Sequence, residues 1–196
     1  PLTRASDLLF EGTLHYRPDV RSDVVFGGTF QSSRNDSDQL IDGQENQYSL
    51  YAQADRWFGS WIKLIGGMQY NVVEGIAGRI SPRAGVVASP FDGWNAKLLY
   101  SQAFRNGSRL EKAFDHPVFR GSPDLEPEIV DTHEAQLGYR RETFALTLTG
   151  FHSTMSDIVV RRWVDDPSDV EFGGHLKHLN GGEHTFTGLE LEGRWA

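Results

Sequence analysis

Apolar and polar residues alternate with period two through almost the whole chain, and charge keeps to one side of that alternation. Leu8, Phe10, Gly12, Leu14 and Tyr16 share one face, with Leu9, Glu11, Thr13 and His15 between them. The same pattern recurs over Val24–Phe30, Tyr48–Ala54, Ile62–Tyr70, Ala84–Ala88, Trp94–Tyr100, Ala135–Tyr139, Phe144–Gly150 and Leu189–Trp195. Period two is the strand signal, because successive side chains of a strand point to opposite faces. The chain therefore reads as all-β with about nine strands, and helical periodicity is almost missing.

Within these runs every Asp, Glu, Lys and Arg lies opposite the apolar row. A lipid-facing Arg or Lys costs about 2–4 kcal/mol at mid-membrane, so a charge-free face is what a membrane wall requires. A soluble β-sandwich also alternates, and alternation alone leaves both open. The connections separate them. Short links at 17–22, 58–60, 90–93 and 140–142 take turns with long ones at 32–45, 71–80, 106–129 and 154–182. Strict alternation sends every long loop to one side, as in outer-membrane barrels with short periplasmic turns and long extracellular loops. Tyr16, Trp57, Phe58, Trp61, Phe91, Trp94, Tyr139, Phe144 and Trp195 cluster near the short links. Aromatic rings gather in this way at a membrane interface. The expectation is an antiparallel transmembrane β-barrel segment in the bacterial outer membrane, with outer-membrane lipid as its partner.

Composition narrows the function. Lys+Arg number 19 against Asp+Glu 27, a net charge of -8, which argues against nucleic-acid binding. Cys is absent, so disulfides and thiolate metal sites are excluded. No apolar run approaches the roughly 18 residues of a membrane helix, and the first residues lack a signal peptide's apolar stretch. There is no Gly-x-Ser-x-Gly, His-Glu-x-x-His or phosphate-binding glycine loop. Glu190 and Glu192 pair on one strand face and read as lumen lining. No enzyme and no cofactor is expected.

Several segments resemble the barrel of TonB-dependent outer-membrane receptors. They are Gln47-Tyr48-Ser49-Leu50-Tyr51-Ala52-Gln53, Ser81-Pro82-Arg83-Ala84-Gly85 and Tyr100-Ser101-Gln102-Ala103-Phe104-Arg105. Gly121-Ser122-Pro123-Asp124-Leu125-Glu126-Pro127-Glu128 follows, then Asp131-Thr132-His133-Glu134, Asn180-Gly181 and Gly188-Leu189-Glu190-Leu191-Glu192. They occur in the family's order and cover most of the chain from residue 46. Asn106-Gly107 and Ser122 depart from the family's usual residues, which puts the ligand class in doubt rather than the fold. Pro82 suits a strand start, where a missing N–H does least harm. Pro123, Asp124, Leu125, Pro127 and Glu128 read as a structural return from loop to strand.

The resemblance implies a barrel of about 22 strands around a plug. Residues 1–196 are expected to be an internal, late part of such a barrel, with the plug, the remaining strands and the segment that engages the TonB complex lying elsewhere. It also implies energised uptake of a scarce ligand, most often a ferric siderophore, with haem or another nutrient as an alternative. A passive porin-type channel and a soluble sandwich module remain open. Inward Val25, Ile65, Val87 and Leu99 suit plug contact better than an open pore.

Ligand would meet the long loops. Arg105, Arg109, Lys112, His116 and Arg120 make one loop basic, which would attract an anionic siderophore unless Glu111 and Asp115 neutralise it. Phe114 and Phe119 would stack on an aromatic ligand or pack the loop. Arg161, Arg162 and Trp163 belong to the rim of the second loop. His175, His178 and His184 offer imidazoles to a metal or haem iron, although their spacing matches no strong zinc pattern.

Overall fold

The computed structural model describes residues 3–37, 43–74, 78–168 and 171–195. Nine strands form one antiparallel sheet: β1 (Thr3–Asp19), β2 (Ser22–Ser37), β3 (Gly43–Phe58), β4 (Ile62–Val73), β5 (Arg79–Ala88), β6 (Trp94–Arg105), β9 (Glu128–Arg140), β10 (Phe144–Ser156) and β13 (His184–Trp195). Between β6 and β9 lie helix α1 (Arg109–Ala113) and two short strands, β7 (Asp115–His116) and β8 (Phe119–Arg120). Between β10 and β13 lie β11 (Val159–Asp165) and β12 (Gly174–Asn180). Each wall strand pairs with its neighbour in the order β1-β2-β3-β4-β5-β6-β9-β10-β13, so β1 and β13 are edges of an unclosed sheet.

Register carries the alternation across the wall. One row runs Leu64, Val86, Leu98, Ala135, Gly150 and Leu189, each opposite the next. The other face holds the polar side chains: Lys63 Nζ meets Asp55 at 2.9 Å, and Arg83 donates to Gln53 at 3.2 Å. Gln69 donates to Ser49 and Asn71, each at 2.9 Å. Among the described residues the buried hydrophobics are Val73 and Leu125. A soluble sandwich stacks two sheets over a shared apolar core. Here one sheet leaves Leu50 66% exposed, Leu98 62% and Leu189 79%, so the sandwich alternative does not hold.

The short links match the sequence boundaries closely. Asp19 accepts the Arg21 N–H at 2.8 Å in the first turn. Gly59 and Gly93 take φ of 66° and 78° in the second and third, a region that glycine enters without a Cβ penalty. Parts of the long links at 32–45 and 71–80 lie outside the described residues.

Three expectations need correcting. Residues 154–182 are no plain loop, since they contain the β11–β12 hairpin. Trp57 does not join the outward aromatic girdle; it stands opposite Lys63 on the polar face, with the Lys63 ammonium 5.9 Å from its ring. Pro82 lies inside β5, yet it bounds the ladder: β5 pairs with β6 only from Arg83 onward, as a residue without an N–H dictates.

Charge also reaches the outward face near its ends. Arg56 sits beside the short turns, 3.5 Å from Asp19, and Asp131 sits at the opposite end.

Candidate functional site

The two long connections on the β6–β9 and β10–β13 side fold into one cap. β12 pairs antiparallel with β11 and parallel with β8, and β8 pairs with β7. Leu176 N–H donates to Val118 O at 2.9 Å, joining the connections through their backbones. Asn180 ties them again: its Oδ1 accepts from Glu126 N at 2.7 Å, and its Nδ2 donates to the carbonyls of Glu126 at 2.8 Å and Asp157 at 2.7 Å.

Arg105 anchors the cap to the wall. Its Nε donates to Glu128 Oε2 at 2.5 Å and its Nη1 to Glu111 Oε2 at 3.0 Å. The other Glu128 oxygen accepts the Val159 N–H at 2.7 Å. Ser108 caps α1 and exchanges hydrogen bonds with Glu111 in a capping box. Burial opposes the charge on Glu111, but Arg105 and Ser108 outweigh it and hold the carboxyl at about 2. Leu125, Pro127 and Glu128 are buried and Pro123 and Asp124 exposed, so the return segment plugs into the cap's base. Arg79 on β5 adds an ion pair to Glu126 at 3.6 Å.

The cap sheet has two faces, and strand alternation assigns the predicted residues to them. Arg161 and Trp163 share one face with Leu176 and His178, and register adds Phe119 and His116. Arg161 lies 5.4 Å from the Phe119 ring centre, and the His178 ring meets Phe119 edge-on at 4.9 Å. Trp163 is 48% exposed with its Nε1 donating to Asp165 at 3.0 Å. His116 and Arg161 are exposed, and His178 is buried. This face presents rings and a cation together.

The opposite face takes Arg162, Lys177, Arg120 and His175. Arg120 pairs there with Asp166 at 3.8 Å. Lys112, in the last turn of α1, is half-buried, and burial lowers its pKa. Arg109 opens α1, and its side chain lies outside the described residues. Of the basic loop residues, Arg105 pairs with Glu111 and Glu128 and Arg120 with Asp166, while the Asp115 side chain, the other expected partner, lies outside the described residues.

The structure does not bring His175, His178 and His184 together. His175 and His178 are three apart on a strand and so face opposite ways. His184 lies on β13, where its ring neighbours Phe186 at 6.3 Å. Among the described residues no three His or carboxylate groups gather into a metal set. Below the start of α1, Gln47, Gln69, Asn71, Arg83 and Arg105 help line a cavity of about 490 Å³ that opens along the polar face of the wall.

Sequence spacing missed one group. His133 and His152 stand directly opposite each other on the outward face, beyond the ends of the recognised apolar runs. Extending the alternation of β9 and β10 by one step each would have found them.

A family model for the TonB dependent receptor-like β-barrel matches residues 3–196. No curated protein matches in sequence. The fold is similar to that of the siderophore receptor PirA from Pseudomonas aeruginosa: TM-score 0.83, 15% identity, with 96% of this chain and 37% of that one covered. A mutant ferric enterobactin receptor from the same organism, solved with enterobactin, gives a TM-score of 0.84 at 12% identity and 96% and 33% coverage. The FrpB iron transporter from Neisseria meningitidis gives 0.77 at 15% identity, covering 99% and 33%. The chain thus spans about a third of the length of these structures. That family comprises transport receptors of the outer membrane, and with all but the first residues matched the chain belongs to it as part of a TonB-dependent receptor β-barrel.

Proposed function

We propose that this chain is wall and mouth of an outer-membrane receptor that takes up a ferric siderophore, energised by TonB through a segment outside it. The observation that carries the reading is the cap face on which Arg161, Trp163, Phe119 and His116 stand together. Anionic, ring-bearing iron chelates suit such a surface: the guanidinium attracts the charge and the rings stack. The enterobactin-bound structural neighbour supports the same ligand class. The cavity along β3–β6 gives the ligand a way down from the cap towards the lumen. Membership of a plugged-receptor family disfavours the passive channel.

The experiment is growth of a receptor-deletion strain on defined ferric siderophores, complemented with the full-length receptor or its variants. Arg161→Ala and Trp163→Ala are expected to weaken siderophore binding about tenfold or more, the usual effect of removing an aromatic or arginine anchor that the bound ligand covers. Arg162→Ala, on the opposite face, is expected to bind like the parent. Equal loss in all three variants, or growth on every iron source without the receptor, would refute the reading.

A further inference from the structure

The cavity beneath the start of α1 is rich in side-chain amides and hydroxyls. Gln47, Gln69, Asn71, Ser81 and Asn106 share its lining with Arg83. Arg105, which also reaches it, is held by Glu111 and Glu128, and Arg83 donates to the neutral Gln53 Oε1 at 3.2 Å. Neutral hydrogen-bonding groups are thus the commonest kind a ligand would touch there.

Two of them are set as a pair. Gln69 and Asn71 are two apart on β4, so both face the lumen, opposite Ser81 and Arg79 on β5. The Gln69 amide nitrogen has both N–H bonds engaged, one to Ser49 Oγ and one to Asn71 Oδ1, each at 2.9 Å. That leaves Gln69 Oε1 as an acceptor and Asn71 Nδ2 as a donor, neither with a described partner. Asn71 is 7% exposed and Gln69 half-buried, yet neither free atom is among the buried polar atoms that lack a partner, so both open on the cavity. Turning both amides over exchanges the two roles and keeps one acceptor beside one donor. Their mutual bond and the buried Ser49 hold the pair in place before any ligand arrives.

We infer that Gln69 and Asn71 select the ligand by its linking arm, and that the arm is a chain of amides. This rests on the siderophore function proposed above: the anionic, ring-bearing head meets the cap face and the arm reaches into the cavity below. An amide has an N–H for Gln69 Oε1 and a C=O for Asn71 Nδ2. An ester or ether arm can only accept, which leaves Oε1 facing it without a donor. A site built to hydrogen-bond an N–H discriminates against an analogue that lacks one. An extended amide chain also repeats its same-side groups about every 6.8 Å, the spacing of two residues along a strand such as β4. One arm laid along β4 therefore meets both side chains.

The test titrates the full-length receptor in detergent with the ferric complexes of three synthetic tris-catechols, read by quenching of tryptophan fluorescence. The rings are the same and the arms equal in length, built of amides, of ethers or of a hydroxylated carbon chain. The amide probe is expected to bind at least about tenfold tighter than either of the others, the scale of one hydrogen bond lost with its partner left unmet. Gln69→Met with Asn71→Leu, which keeps side-chain size, should bring the three affinities together near that of the ether probe in the parent. Arg161→Ala, on the cap, should weaken all three alike and preserve their ratio. Equal binding of the three probes by the parent would overturn the inference and leave the siderophore function standing. A hydroxylated arm bound as tightly as the amide one, or an amide preference that survives in the double variant, would do the same. A parent that binds none of the three would overturn both.

Discussion

At Gly93 the backbone has φ of 78°, and a Cβ there would sit 2.5 Å from the Arg140 carbonyl oxygen. That carbonyl belongs to the next turn along the rim, whose Arg140 N–H donates to Gly93 O at 2.8 Å. A left-handed conformation costs an L-residue about 1–2 kcal/mol, and the displaced carbonyl adds to it. Gly93→Ala is therefore expected to lower the temperature at which the folded receptor loses its heat-resistant gel mobility, while Gly173→Ala, with open space around its Cβ, lowers it less. Residue-scale facts of this kind were only partly legible in the sequence. Gly93 stood in a short link and invited a turn. The direction of Trp57 did not follow from its place near the rim, because one step along a strand reverses the face.

At the scale of elements, the nine wall strands were legible because each repeats its own alternation locally. The cap was not. β7 and β8 are two residues each, too short to show a period, and β12, the partner of β8, lies more than 50 residues on. Arg105 likewise carried charge in the sequence without revealing that Glu128, 23 positions away, accepts its Nε. The pairing makes Arg105 the hinge pin of the cap. Arg105→Gln leaves the Glu128 side chain, 4% exposed, without its cation. A hydrogen bond to a charged group is worth about 1.5–3 kcal/mol, so the cap loosens locally while the wall stands. Limited proteolysis should then cut between residues 106 and 127 much faster, with the wall fragments still intact.

The cap also carries a pH dependence whose sign can be worked out. Burial lowers the pKa of His178, which faces Phe119 on β8, Arg161 on β11 and the charge of Glu111 at α1. Below about 6.5, the ordinary histidine value, an unfolded cap gains a proton that the folded one resists. Stability is thus lost as pH falls from about 6.5 through the lowered folded value. Glu111, held at about 2, contributes stability above the ordinary carboxylate value, and that share is lost only between about pH 4.3 and its folded value. Hydrogen exchange at Val159 and Leu176, corrected for intrinsic rates, is expected to rise in two steps on acidification. His178→Gln should abolish the first step and keep the second. A single step below pH 4 in the parent would show that His178 is not held neutral by the fold.

For the molecule as a whole, no protein among the described residues covers the apolar rows. Phe10, Leu50, Met68, Leu98 and Leu189 are each more than half exposed on one continuous face. Soluble monomers rarely expose an apolar patch beyond a few hundred Å². The edges compound this, since β1 and β13 each present unpaired backbone groups over 17 and 12 residues. The segment alone, expressed without detergent, should therefore aggregate or pair edge to edge. Absence of native cysteine makes the two faces separable by labelling, because each introduced thiol is the only one present. In the membrane-inserted full-length receptor, freed of other cysteines, Leu98→Cys should react with a lipid-soluble maleimide and resist a charged one. Lys97→Cys, one step along β6 and facing the lumen, should show the reverse. A segment that stayed monomeric in plain buffer and melted cooperatively, with both cysteines equally open to the charged reagent, would mean that the apolar face meets water rather than lipid.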